Sequence, residues 1–188
     1  MSNVYETCPT LENENYRLRL VAESDAEDLR KVYGDKFALP FFNSDNCHGD
    51  NFYYPTAEGM REAIRYWLME YENRGFVRFA IVEKDSDTAI GTIELFHRVS
   101  EDFFHDCGIL RLDVGSKYEC EEVLCEILSV IIEPAYGLFE CKMIATKAPI
   151  YAVERITALK KMGFEKSAQK VVGHDGTVYG DYWCICAG

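Results

Sequence analysis

Residues 108–126, GILRLDVGSKYECEEVLCE, run from an apolar strand-like segment through a short loop into a long apolar helix. Such a helix cannot stand alone in water, so the segment commits the chain to a sheet with at least one covering helix. In mixed α/β chains a loop in this position commonly holds a pyrophosphate-type group at the helix N-terminus, where free amides and the helix dipole favour an anion. Here the loop and first turns carry Glu119, Glu121, Glu122 and Glu126 instead. The segment therefore speaks more clearly for an architecture than for a chemistry.

The 188 residues, 48% of them hydrophobic, fill one core and are too few for two ordinary domains. The expected organisation is an N-terminal extension, 1–15, and a single domain over 16–188. A net charge of −12 argues against nucleic acid and against anionic membranes, both of which recruit basic patches, and favours a cationic partner. The opening MSNVYETCPTLENEN has neither a basic start nor an apolar run of secretory length, and no segment approaches the roughly 18 apolar residues of a membrane span. A cytoplasmic protein is expected. The eight cysteines are scattered without a CxxC pair and read as reduced thiols, several at apolar positions. Neither Cys184 with Cys186 nor Cys47-His48 between Asp45 and Asp50 makes a convincing metal set, and none is assigned.

Periodicity and punctuation divide the rest. Residues 16–21 alternate as a half-buried strand, and Ser24-Asp25-Ala26-Glu27 has capping-box spacing before a helix that Gly34 ends. Residues 35–55 hold Phe37, Phe41, Phe42, Phe52, Tyr53 and Tyr54 among Asn, Asp and Gly, which predicts an irregular aromatic loop. Thr56 caps the next helix, with Met60, Ala63, Ile64, Trp67, Leu68 and Tyr71 inward to Arg74-Gly75. Strands follow at 77–84, 88–98 and 104–114, then a helix at about 119–133 that Pro134 should close. A strand over 141–147, a helix over 151–162 stopped by Gly163, and a hairpin of 164–172 and 177–186 complete the chain.

Phe79–Lys84 followed by Ala89-Ile90-Gly91-Thr92-Ile93, Leu159–Phe164 (LKKMGF), and Asp175-Gly176 with Asp181-Tyr182 are the stretches most like a known family. With the element order from Tyr16 to Ile185, they make the chain resemble the GNAT superfamily of acyl-CoA-dependent N-acyltransferases, in particular the branch that acetylates ribosomal-protein N-termini. The resemblance implies an α/β (α+β) fold with a central mixed, mostly antiparallel sheet flanked by helices. It also implies acetyl-CoA as co-substrate and an amine acceptor on a small cationic molecule or a protein N-terminus; a homodimer is the assembly to consider.

In such a site two neighbouring strands splay, one offers backbone groups to the pantetheine arm, and the next helix N-terminus binds pyrophosphate. The resemblance assigns these roles to Leu112, Val114 and Val123, with Arg155 meeting a phosphate; Arg155 otherwise reads as a surface partner of Glu154 or a neighbour. Glu94 and Asp113 are the candidate general bases and Tyr182 the candidate acid, with Tyr179 beside it, while ordinary sheet carboxylates and a packing tyrosine are the plain readings. The family's Arg/Gln-x-x-Gly-x-Gly/Ala loop falls on Glu119, Glu122 and Leu124, its asparagine on Ala152 and its usual tyrosine on Leu159. Each carboxylate about 6 Å from a phosphate would repel it by roughly 3 kcal/mol at an effective dielectric of about 20. A protein that has lost acyl-CoA binding and serves as an interaction module is the alternative.

Overall fold

The computed structural model describes residues 3–188. Its order is β1 (Leu11–Glu12), β2 (Tyr16–Leu20), α1 (Ala26–Tyr33), α2 (Ala57–Glu72), β3 (Val77–Glu83), β4 (Thr88–Arg98), β5 (Cys107–Val114), α3 (Glu121–Leu138), β6 (Met143–Lys147), α4 (Val153–Lys161), β7 (Glu165–Lys166), β8 (Val171–Val172), β9 (Val178–Tyr179) and β10 (Tyr182–Cys186). Eight strands form one sheet in the order β1-β2-β3-β4-β5-β6-β10-β7, and β8 with β9 makes a separate ribbon. Every pairing in the large sheet is antiparallel except β5 with β6. This is the mixed, mostly antiparallel sheet flanked by helices that the resemblance implies.

Both faces of the central strands are covered, which is why β3 reads as a continuous apolar run rather than an alternation. On one face Phe79, Ile93, Leu95, Leu110, Leu112 and Ile144 pack against Leu124, Ile127, Leu128 and Ile131 of α3 and Ala158 and Leu159 of α4. On the other, Ala80, Val82 and Ala89 meet Leu29, Val32 and Tyr33 of α1 and Met60, Ile64 and Trp67 of α2. Farther along that second face, Ile109, Ala145 and Tyr182 lie under Phe104 and Val171.

Local chemistry explains most boundaries, and three differ from expectation. Thr56 Oγ1 accepts the Gly59 N–H at 3.1 Å and starts α2 as a cap should. The Ser24–Glu27 box does not form: a 3-10 turn over Glu23–Asp25 precedes α1, and the Asp25 carboxylate takes the Ala22 N–H and pairs with Arg19. The helix α3 runs through Pro134 to Leu138, because its apolar face continues through buried Ala135 to Phe139 and packing outweighs the hydrogen bond proline withholds. The closing segment is no simple hairpin, since β7 pairs with β10 while β8 pairs with β9. Ahead of Tyr16, Val4 joins the main core and Leu11–Glu12 adds the sheet's edge.

Candidate active site

Two strands separate where a site is expected. β5 and β6 pair only from Cys107 with Met143 to Leu110 with Thr146; beyond that β5 continues to Val114 unpaired on this side, while β10 stays paired along the other edge of β6 from Met143 to Lys147. The carbonyl of Leu112 thus loses its neighbouring strand. The Arg155 guanidinium, on α4, fills the place and donates to it at 2.7 Å. Arg155 is buried, not the surface partner of Glu154 that its charge implied. Its other nitrogens hold Glu119 by both carboxylate oxygens, each at 2.7 Å.

The loop after β5 is taken up by a 3-10 turn over Ser116–Tyr118, with Gly115 N–H on the Ile90 carbonyl and Ser116 N–H on Asp35. At the start of α3 the Glu121 N–H donates to the Glu154 carboxylate at 2.9 Å, and Glu121 itself pairs with Lys161. Val123 lies in that first turn, half-buried against the main core, and Val114 is buried against Gly91 of β4.

The carboxylates Glu94 and Asp113 lie on the face toward α1 and α2. Glu94 bridges Arg78 and Arg111, the latter at 2.7 Å. Asp113 accepts the Tyr33 hydroxyl at 2.9 Å and lies 3.5 Å from Arg78, and Thr92 completes the network through Tyr33 and Arg78. Burial pushes the Asp113 carboxyl up against the lowering pull of Arg78 and the Tyr33 hydrogen bond, and its Oδ1 has no partner. Burial works against the Arg78 charge, but Glu94, Tyr33 and Asp113 outweigh it and hold its pKa up. The Arg78 guanidinium also lies 4.1 Å from the Trp67 ring centroid. None of this pairing was anticipated, although Arg78, Glu94, Arg111 and Asp113 all interrupt strands covered on both faces, where charges must be matched.

Tyr182 stands at the separated ends of the strands. Its hydroxyl meets Asp45 at 3.1 Å and the Asn43 amide at 3.2 Å, and Asp45 also takes Lys147 through both oxygens at 2.7 Å. Burial first, then Asp45, raises the phenol above its ordinary range, so it stays protonated. Asp45 reads in the sequence only as an acidic neighbour of Cys47-His48, and Lys147 does not stand out there at all. Tyr179 stands apart from this set, 5.8 Å from the Lys147 ammonium across its ring.

The aromatic loop closes over this face. Phe52 is buried, Phe42 and Tyr54 pack on Tyr33, Phe41 meets Tyr151, and Phe37 is exposed. Phe52 and Tyr54 help line a cleft of about 420 Å³ with Trp67, Glu70, Glu94 and Arg111. A second cleft, about 520 Å³, continues past Cys47 and His48 to His174 and Tyr179. Among the described residues no three His, Cys, Asp or Glu side chains converge as a metal set.

No family model and no curated protein matches the sequence. Solved structures do. A ribosomal-protein-S5-alanine acetyltransferase from Vibrio fischeri superposes with a TM-score of 0.70 at 17% identity, over 95% of this chain and 96% of that one. The chain has the GNAT acetyltransferase fold. Mycobacterium smegmatis RimJ, solved with CoA-disulfide, gives a TM-score of 0.72 at 14% identity over 95% and 88% of the two chains. A GNAT-family acetyltransferase from Bacillus anthracis gives 0.68 at 11% over 95% and 98%.

Beside the parting of β5 from β6 lie groups that suit an anion such as a diphosphate. Arg155 offers a guanidinium and α3 offers first-turn amides, and the chain already satisfies both with anions of its own, Glu119 and Glu154. The loop lacks the glycines that let backbone approach phosphate without a Cβ between. The fit therefore requires Glu119 and Glu154 to give way. No helix among the described residues is long and apolar enough to cross a membrane.

Proposed function

We propose that the protein is an acyl-CoA-dependent N-acyltransferase that moves an acetyl group to an amine on a protein N-terminus or a small cationic molecule. The observation that carries this reading is the parting of β5 from β6 beyond Leu110 and Thr146 on a sheet of GNAT topology, with Tyr182 at the parting. The donor, when bound, supplies a thioester carbonyl to the attacking amine. The backbone of Val114 and the N–H side of Leu112, whose carbonyl Arg155 keeps, would hold its arm, and Val123 and Arg155 would flank its diphosphate.

The residues of the chain then handle two protons. The amine must lose one as it forms its bond to carbon, and Asp113, with an unpartnered oxygen and a raised pKa, is a better acceptor than Glu94, which two arginines hold. The departing sulfur gains a proton from Tyr182, whose phenol burial keeps protonated. Asp50 and Glu70 border the aromatic cleft of about 420 Å³ and form no ion pair among the described residues, which favours a cationic acceptor there. On this reading the protein works in the cytoplasm, free of nucleic acid and membrane, alone or as a homodimer.

The carboxylates Glu119 and Glu154 favour a second reading, an interaction module that no longer binds acyl-CoA. Titration calorimetry with acetyl-CoA separates the two. Micromolar binding supports the transferase; no heat at millimolar ligand sinks it and leaves the module.

A further inference from the structure

Around the start of α3 lie two groups that suit an anion, the Arg155 guanidinium and the Glu121 amide, and the chain answers both itself. Arg155 is 3% exposed, fixed from below by the Leu112 carbonyl, and turns the rest of its guanidinium to Glu119. The Glu121 amide, the first in α3, takes Glu154. A carboxylate and a phosphate present the same two-oxygen edge to a guanidinium, and an amide at a helix start accepts either anion. The two contacts come from neighbouring residues of α4 meeting the two ends of one short linker, Glu119 to Glu121.

We propose that Glu119 and Glu154 are internal ligands of the donor's diphosphate site, so that the donor binds by displacing them from Arg155 and from the Glu121 amide. The inference rests on the acyl-CoA reading of the cleft. The two carboxylates are held differently: the Glu119 side chain is buried against Arg155 but sits in neither helix nor strand, between the 3-10 turn and α3, whereas Glu154 is exposed on the first turn of α4. Arg155 stays, because the Leu112 carbonyl has no other partner to take its place. The sequence motif that should disfavour phosphate thereby acquires a definite role. Its glutamates act less by repulsion at a distance than by holding the seat, and apparent affinity falls in proportion to the fraction of molecules whose seat is empty.

The test uses the whole chain, wild type, Glu119→Gln and Glu154→Gln. Each is titrated calorimetrically with CoA and with acetyl-CoA, and its melting temperature is read with and without inorganic pyrophosphate. Glu119→Gln should bind CoA at least tenfold more tightly than wild type and gain more melting temperature from pyrophosphate. Glu154→Gln should show a smaller gain of the same sign, and it carries the test if Glu119→Gln folds poorly, since its carboxylate is on the surface. Wild type binding acetyl-CoA with both variants unchanged or weaker overturns self-occupation and leaves the transferase reading intact. Pyrophosphate stabilising the variants above wild type, with acetyl-CoA bound by none, supports the self-occupied site and sinks the transferase reading. No gain from either probe in either variant overturns the inference.

Discussion

The side-chain oxygen of Asn46 accepts the backbone N–H of His174 at 3.1 Å, joining positions 128 residues apart. This bond ties the aromatic loop to the turn between β8 and β9, the two segments bordering the cleft of about 520 Å³. Asn46 also sits at φ +59°, a left-handed conformation that asparagine tolerates better than alanine. Asn46→Ala should lose both the bond and the conformational fit, and Asn46→Gly the bond alone. Amide hydrogen exchange at His174 should quicken in both, and the melting temperature should fall further for alanine.

The buried ion network makes a sharper stability prediction. Removing Glu94 by Glu94→Ala leaves Arg78, at 1% exposure, with only Asp113 at 3.5 Å to answer its charge. Breaking one partner of a buried pair costs about 3–5 kcal/mol, and urea unfolding should show a loss of that order. A loss below about 1 kcal/mol would mean that water reaches the network, since exposed pairs are worth that little.

Acid should loosen the tie between β4 and the β8–β9 ribbon. Arg98 holds the Asp102 carboxyl below its ordinary range despite the opposing effect of burial, with help from the Val172 N–H, Ser100 and the Phe104 N–H. A carboxyl whose folded pKa is depressed adds stability above its unfolded value, and that contribution drains away as pH falls through the folded value. The loss should therefore begin near about pH 4 and deepen below it. Asp102→Asn should lower the melting temperature at pH 7 and flatten its fall in acid; parallel curves for the two proteins would refute the assignment.

Under the transferase reading, Tyr182→Phe removes the proposed acid and keeps the ring on Phe104, 5.6 Å away. The turnover rate should drop by about a hundredfold or more, the low end for general acid catalysis, while acetyl-CoA affinity measured by calorimetry holds. Stability should change by only about 1 kcal/mol, because Lys147 still satisfies Asp45. A rate near wild type would remove Tyr182 from the mechanism.

What the sequence disclosed follows the range of the forces involved. Thr56 caps α2 through a bond three residues away, and the Gly163 turn at φ +89° is equally local, so both were legible. Ser24 looked like a cap but lost to Asp25, whose partner Arg19 lies in another element. Pro134 was misread as a stop because the packing of Ala135 and Phe139 weighs more than one hydrogen bond. Arg155 could have been found: it stands three residues after Ala152 and three and four before Ala158 and Leu159, on the buried stripe of α4. Its charge hid it. The Asp45–Lys147–Tyr182 set was out of reach, since 137 residues separate Asp45 from Tyr182 and no spacing rule spans such a loop.

The place of β10 in the sheet sets an order on synthesis. It lies between β6 and β7, both of which leave the ribosome before it. Until Tyr182–Cys186 emerges, β6 presents a bare hydrogen-bonding edge, and β7 has no strand to join. A chain that has released β6 but not yet β10 is thus a sheet with an open side, the state most prone to pair with another such chain. Nascent molecules that stall just short of Tyr182 should be the ones that chaperones hold longest.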